Sequence, residues 1–317
     1  MVMGHNISMN GEYVFYENGI EVHREKNLIT KFGKRFLTGY LAGQSSFTQK
    51  DIAVGIGTTA ASVDDNQLEF EFYRSSVFLS SMDIQTDSIT GESTYSVVYK
   101  TTLPVDVDGV ITEVGLFPSA TVGNTDFSSR FITSFENPNS WTDSNGDLPE
   151  TVNTPDPRIG QSLFKISALS GAEKEYWFAT SFDVSGYSNN DSLSLAFRQA
   201  DANLDYAFIR FYNSDTAYYE IQFPGSSAGN KLIKLTMDNL FNNLTGTPES
   251  SEVTKISAGI KAKSTGAATA YLDGLRINDE DSYNPQYGLI SRSVLDTPIT
   301  KVIGRQMDIE YRLGLSL

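Results

Sequence analysis

Aromatic side chains crowd one short stretch of this chain: Tyr206, Phe208, Phe211, Tyr212, Tyr218 and Tyr219, with Arg210 among them. Aromatic rings offer flat apolar surfaces with polar tips, and a guanidinium offers several fixed donors. Together these groups can bind a ligand that is partly apolar and partly hydroxylated or charged. On a β-strand successive side chains point to opposite faces. Tyr206, Phe208, Arg210 and Tyr212 therefore share one face, and Ala207, Ile209 and Phe211 share the other. The second set suits a core, which leaves the first as the candidate ligand-binding face. The competing reading is an inert sandwich surface or a subunit contact.

Other chemistries find little support. Val54-Gly-Ile-Gly-Thr-Thr lacks the third glycine of a dinucleotide fingerprint, and no Gly-Lys-Ser/Thr follows it, so it reads as a strand ending in a tight turn. Glycoside hydrolysis would need two carboxylates across one cleft. Among 39 Asp and Glu no motif singles out a pair. There is no cysteine, and His5 and His23 are the only histidines, which excludes thiol chemistry and a three-histidine zinc site and argues against a Ser-His-Asp triad. A net charge of −15, with no basic cluster beyond Lys34-Arg35, argues against nucleic acid. No run of about 18 apolar residues is present to span a membrane, and the first residues do not resemble a signal peptide. The sequons at Asn190 and Asn243 accordingly read as chance.

The elements that must position any site are strands. Aromatics make up 12% of the 317 residues and charged residues 20%, with 25 glycines, a profile of β-rich proteins. Tyr13–Tyr16 and Ile20–His23 flank Asn18-Gly19, which predicts a hairpin with a type I′ turn. Phe32, Phe36, Leu37, Tyr40 and Leu41 fall on one helical face, with Thr30 as N-cap and Gly43 closing the end. Strands are predicted at 51–57, 68–73, 77–84, 95–103 and 111–117. A second set follows at 162–168, 175–183, 192–199, 206–212, 217–222, 231–237, 253–262 and 269–277, at the spacing of a sandwich. Residues 297–317 read as one more alternating strand, with Met307, Ile309, Tyr311, Leu313 and Leu315 on its apolar face. That strand is too short to bury its face alone, so it is expected to return to the sheet of residues 11–117.

The chain thus reads as a discontinuous β-rich outer domain with one helix, residues 1–126 and 285–317, into which an antiparallel β-sandwich, residues 127–284, is inserted. In the insert, Phe135-Glu136 followed by Trp141, then Gly160-Gln-Ser-Leu-Phe-Lys-Ile, then Ala270-Tyr-Leu-Asp273-Gly-Leu-Arg-Ile277 resemble carbohydrate-binding-module jelly rolls. In the outer domain, Asn27-Leu-Ile-Thr-Lys-Phe-Gly-Lys, Ile52-Ala-Val-Gly-Ile-Gly-Thr-Thr-Ala-Ala-Ser, Leu68-Glu-Phe-Glu-Phe-Tyr-Arg74 and Ile111-Thr-Glu-Val-Gly-Leu-Phe117 resemble assembly domains of tailed-bacteriophage virion proteins, of the tail-fibre, baseplate or capsid-decorating kind.

The first resemblance implies sugar stacking on Tyr206, Phe208 and Tyr212, with Arg210 among them. It also implies a structural Ca²⁺ shared by Glu136 and Asp273, a hard cation taking oxygen ligands. The alternative for these two acids is that both are exposed strand ends. The second resemblance implies a non-enzymatic virion structural protein, assembled in the host cytoplasm, that displays the jelly roll for host-glycan adhesion or for particle stabilisation. Its expected partners are other virion proteins, further copies of itself and a host surface glycan, with no nucleic acid and no membrane insertion. The rival expectation is a bacterial carbohydrate-binding or glycan-processing protein outside any virion.

Overall fold

A computed structural model describes residues 8–41, 50–86, 93–118, 130–154, 157–280 and 288–316. The chain divides into two units, Met1–Val122 with Tyr283–Leu317, and Gly123–Ser282. The junctions expected at 126/127 and 284/285 lie outside the described residues.

The first unit begins with β1 (Ser8–Glu17), β2 (Ile20–Lys26), β3 (Leu28–Ile29), helix α1 (Lys31–Leu41), β4 (Lys50–Gly55), β5 (Glu71–Ser76), β6 (Phe78–Thr86), β7 (Ser93–Leu103) and β8 (Gly109–Pro118). The second unit holds β9 (Arg130–Thr133), β10 (Glu150–Val152), β11 (Leu163–Ala168), β12 (Glu173–Phe182), β13 (Ser192–Gln199), β14 (Leu204–Ser214), β15 (Ala217–Pro224), β16 (Gly229–Thr236), helix α2 (Asp238–Phe241), β17 (Leu244–Thr245), β18 (Val253–Ala262) and β19 (Ala268–Asn278). The chain then returns to the first unit with β20 (Ser291–Lys301) and β21 (Met307–Ser316). The class is mainly β and the sheets are antiparallel.

In the first unit, a terminal sheet runs β2-β1-β21-β7-β6 and a second, hairpin sheet runs β3-β20-β8-β4-β5. Tyr13, Phe15, Leu103, Met307, Ile309 and Tyr311 from the one meet Ile52, Val54, Ile111, Leu116, Ile290 and Leu295 from the other in a single core. Tyr13 Oη lies 2.8 Å from Ser291 Oγ, so the two buried hydroxyls satisfy each other across that core. Asn18 and Gly19 adopt φ of 53° and 79°, the left-handed pair that a type I′ turn demands. Thr30 Oγ1 accepts the Gly33 N–H at 2.9 Å and so caps α1, whose Phe32 and Phe36 pack on the core. Gly43 lies outside the described residues.

One expectation is corrected. Residues 297–317 form not one strand but the end of β20 and all of β21, parted by a turn in which Gly304 takes φ +80°. The two strands serve different sheets. β21 lies between β1 and β7, with Tyr311 opposite both Tyr13 and Tyr99, and its apolar face is buried as expected at Met307, Ile309 and Tyr311.

The second unit is a two-sheet sandwich. A back sheet runs β10-β11-β19-β13-β16 with β9 also on β19, and a front sheet runs β12-β18-β14-β15-β17. Leu193, Leu195, Phe197, Ala270, Leu272 and Leu275 of the back sheet pack against Ala207, Ile209, Phe211, Ile221, Ile256, Ala258 and Ile260 of the front sheet. The choice of Ala207, Ile209 and Phe211 as core residues agrees with this packing. Beneath one end, Trp141 and Phe178 make an edge-to-face contact at 4.6 Å between ring centres.

Candidate ligand-binding face and cation site

With alternate residues of β14 committed to the core, Tyr206, Phe208, Arg210 and Tyr212 project from the outer side of the front sheet. The register adds their neighbours. Arg210 lies opposite Glu220 of β15 and Ser257 of β18, and Ser257 lies opposite Trp177 of β12. Phe208 is flanked by Gln222 and Gly259, and beyond Gly259 by Glu175.

Arg210 is the hub. Its Nε donates to Glu220 at 2.5 Å, Nη1 to Glu175 at 3.0 Å and Nη2 to Glu173 at 2.9 Å. Each carboxylate has a further donor: Tyr206 Oη on Glu173, Tyr212 Oη and Ser257 Oγ on Glu175, and Gln222 Nε2 on Glu220. Arg210 is only 8% exposed. Burial works against its charge, but the hydrogen bonds and fields of the three carboxylates outweigh that and raise its pKa further. Burial likewise favours the protonated form of Glu173, but the Arg210 hydrogen bond and charge prevail and hold it below the usual range. The Tyr206 hydroxyl is pushed up to about 12, first by burial and then by Glu173, so it stays a donor.

All four residues lie on one face as the alternation implied, but two of them are not open. Phe208 is fully buried and Tyr212 is 5% exposed. The Phe208 ring lies over Gly259, where a Cβ would come within 2.3 Å of its Cζ, and the Arg210 guanidinium covers it at 4.0 Å. Lys255 Nζ sits 4.2 Å above the Tyr212 ring. Phe208 and Tyr212 are therefore the floor of the face, not stacking rings. The accessible rings are Tyr206, Tyr218 and Trp177, all half-buried. Trp177 is pinned by reciprocal backbone hydrogen bonds with Thr142 at 2.8 and 3.0 Å. Sequence reading named Tyr218 in the aromatic run without placing it on this face, and it missed Trp177, Glu173, Glu175 and Glu220. Their signal was the alternation of β12 and β15, which could be joined to β14 only once strand order was known.

Glu136 and Asp273 also come together. Asp273 sits in a bulge of β19, skipped by the ladder to β13, and is 3% exposed. Its carboxylate accepts the N–H groups of Arg158 at 2.8 Å and Ile159 at 3.2 Å. Burial, and to a lesser degree the Glu136 charge, push it up to about 7. Glu136 accepts the Gln161 N–H, and its carboxylate fills the space a Cβ on Gly160 would need. Gly160, at φ +68°, is thus required both by conformation and by room. The exposed-end alternative fails for Asp273. Two neighbouring carboxylates, one desolvated, fit a hard divalent cation, which Glu136 and Asp273 would hold.

In the first unit, the Gly55-Ile-Gly57 stretch cradles a carboxylate rather than a phosphate. A Cβ on Gly55 or Gly57 would fall 2.5 or 2.4 Å from Oε1 of Glu113.

No protein-family model and no curated protein matches the chain. Solved structures do. A family 11 carbohydrate-binding module from Clostridium thermocellum, in complex with a β-1,3-1,4-mixed-linked tetrasaccharide, is similar at 12% identity and TM-score 0.34, over 49% of this chain and 97% of that one. An exo-β-agarase is similar at 15% identity and TM-score 0.34, over 49% of this chain. The enzymatically active domain of bacteriophage CBA120 tailspike protein 4 is similar at 16% identity and TM-score 0.28, over 45%. The match spans about a quarter of the agarase, at 26%, and 20% of the tailspike structure. Carbohydrate-binding jelly rolls and a phage tailspike domain are thus among the structural neighbours, all at low similarity.

Proposed function

We propose that the second unit binds a glycan on the outer side of its front sheet, and that the first unit carries it as a non-enzymatic structural component of a phage virion. The observation behind the glycan reading is the Arg210 hub. Three carboxylates lock one guanidinium in place, and the half-exposed Trp177, Tyr206 and Tyr218 surround it. Sugars are recognised by ring stacking on their C–H faces and by carboxylates and amides that bond their hydroxyls. Here those groups are fixed before binding, which lowers the entropy cost of recognition. The exposed Glu173 and Gln222 would supply acceptors and donors to hydroxyls. Glu173, Glu175 and Glu220 are all engaged by Arg210, an arrangement for holding charge rather than transferring protons.

The virion half rests on the resemblance of the first unit and on strand β6, an edge of the terminal sheet. Phe78, Leu79, Met82 and Ile84 are exposed there by 52–72%. Edge strands of this kind are covered when a chain joins an assembly. Ca²⁺ at Glu136 and Asp273 would brace the second unit.

The test of the glycan reading is an array of bacterial surface glycans probed with the full chain, beside Trp177→Ala and Tyr218→Ala. Binding that falls at least tenfold in both variants, with melting unchanged, is expected. No binding to any glycan removes this reading. Mass spectrometry of purified particles tests the virion assignment separately. Absence of the protein from particles, with glycan binding retained, would favour a bacterial protein acting outside any virion.

A further inference from the structure

A second group of metal-type ligands lies in the first unit, far in character from the oxygen-only pair of the second. His23 and Glu25 alternate on one face of β2, and Asp296 belongs to β20, in the stretch where pairing of β20 with β8 is interrupted between Val294 and Ile299. One ligand atom from each of the three lies within 4.8 Å of the others. His23 Nε2 is 3.6 Å from Glu25 Oε2 and 3.6 Å from Asp296 Oδ1. The nitrogen is buried and has no hydrogen-bond partner. The imidazole is oriented by Phe15, with ring centres 6.0 Å apart, and the Asp296 N–H donates to Glu25 Oε2 at 3.3 Å.

These distances discriminate between two explanations. An imidazole N–H bonded to a carboxylate would lie about 2.7–3.2 Å from it. Nε2 instead stands equally far from two carboxylates and reaches neither. Ligands on a tetrahedral ion with bonds of about 2.0–2.2 Å are about 3.3–3.6 Å apart, which matches the two distances from Nε2. With its Nε2 proton displaced, the imidazole and the two carboxylates would all direct lone pairs at the space between them, as metal ligands do. One imidazole with two carboxylates is a donor set for zinc, whereas calcium takes oxygen alone.

We propose that His23, Glu25 and Asp296 form a zinc site that ties β2 of the terminal sheet to β20 of the hairpin sheet. Asp296, with its side chain 78% exposed, leaves the fourth ligand position open to water. The site's role would be structural, joining strands from the two sheets that share the core of the first unit.

The experiment uses the full chain, stripped with chelator and dialysed, then titrated with zinc chloride. Calorimetry should give one equivalent bound, and the melting temperature should rise with the logarithm of free zinc. Cobalt in place of zinc should show the visible bands of a tetrahedral ion. His23→Asn should abolish all three signals. Asp296→Asn changes a side chain that is 78% exposed, and should weaken zinc binding at least tenfold without altering the metal-free melt. Asp273→Asn should leave the zinc response intact. No zinc response in the parent chain overturns the proposal. So does a response that survives both His23→Asn and Asp296→Asn, since the ion would then sit elsewhere, or a change in acid sensitivity in these variants with no zinc bound, which would mark a plain ion pair.

Discussion

Arg292 and Glu113, 179 residues apart, form a buried ion pair in which Nε and Nη2 of the arginine converge on one carboxylate oxygen at 3.0 and 2.7 Å. Glu113 is fully buried and Arg292 is 3% exposed. The carboxylate also accepts the N–H groups of Gly57, Glu69 and Phe70, and Arg292 Nη1 donates to Asp65 at 2.8 Å. Three separate segments of the first unit, around Gly57, around Glu69 and Phe70, and around Glu113, thus meet Arg292 at one charge.

Removing one partner leaves the other charge buried and unpaired. Glu113→Gln or Arg292→Met should each destabilise the first unit by about 3–5 kcal/mol. In a double-mutant cycle the pair should cost clearly less than the sum. Urea unfolding followed by a probe in the first unit measures this. Additive costs would mean the two residues act independently.

Ending the chain after Gly304 deletes β21, the strand between β1 and β7. Burial of Met307 and Ile309 alone contributes about 1.5–3 kcal/mol each as an upper bound, and the loss would open two strand edges. The first unit should fail to fold, while the second, with a core of its own, should keep a cooperative melt. A truncated chain that retains both transitions would contradict the packing described.

Calcium should raise the melting temperature of the second unit in proportion to the logarithm of its concentration, and chelator should reverse the effect. Asp273→Asn should remove the response. Identical melts of stripped protein with and without calcium would dismiss the ion.

Acid should loosen one corner of the second unit through Asp143. The hydrogen bond from Lys174, followed by those from the N–H groups of Asp147 and Asn145, pulls its carboxyl down to about 2. A folded-state pKa below the unfolded value contributes stability above about pH 4, which is lost as pH falls from about 4 to 2. Asp143→Asn should therefore lower stability at neutral pH and flatten its decline below pH 4. Parallel pH profiles for parent and variant would show that the pair does not matter.

Much of the fold was legible because local signals agreed with it. Asn18-Gly19, the Thr30 cap and the alternation of Met307, Ile309 and Tyr311 each report a local backbone preference. The break between β20 and β21 was hidden because Val302 and Ile303 prolong the apolar pattern across a turn, and Pro298 falls where pairing with β8 is interrupted. At the candidate face, alternation gave the side of the strand on which Tyr206, Phe208, Arg210 and Tyr212 lie. It could not give what covers them, because Glu173, Glu175 and Lys255 arrive from strands remote in sequence. The same holds for His23 and Asp296, which only the packing of β2 on β20 brings together.

The strands β8 and β20 are antiparallel partners, with Leu116 opposite Ser291, so the entire second unit is the turn of a β-hairpin. Closing so long a turn as random chain carries an entropic penalty that grows with the logarithm of its length. Within the second unit, however, Arg130 and Ile277 are themselves paired on neighbouring strands. Once that unit has folded, a turn of roughly 170 residues behaves as one of roughly 25, easing closure by about 2 kcal/mol. Refolding should therefore run in a fixed order, with the inserted sandwich forming first and acting as the clasp that brings β20 to β8.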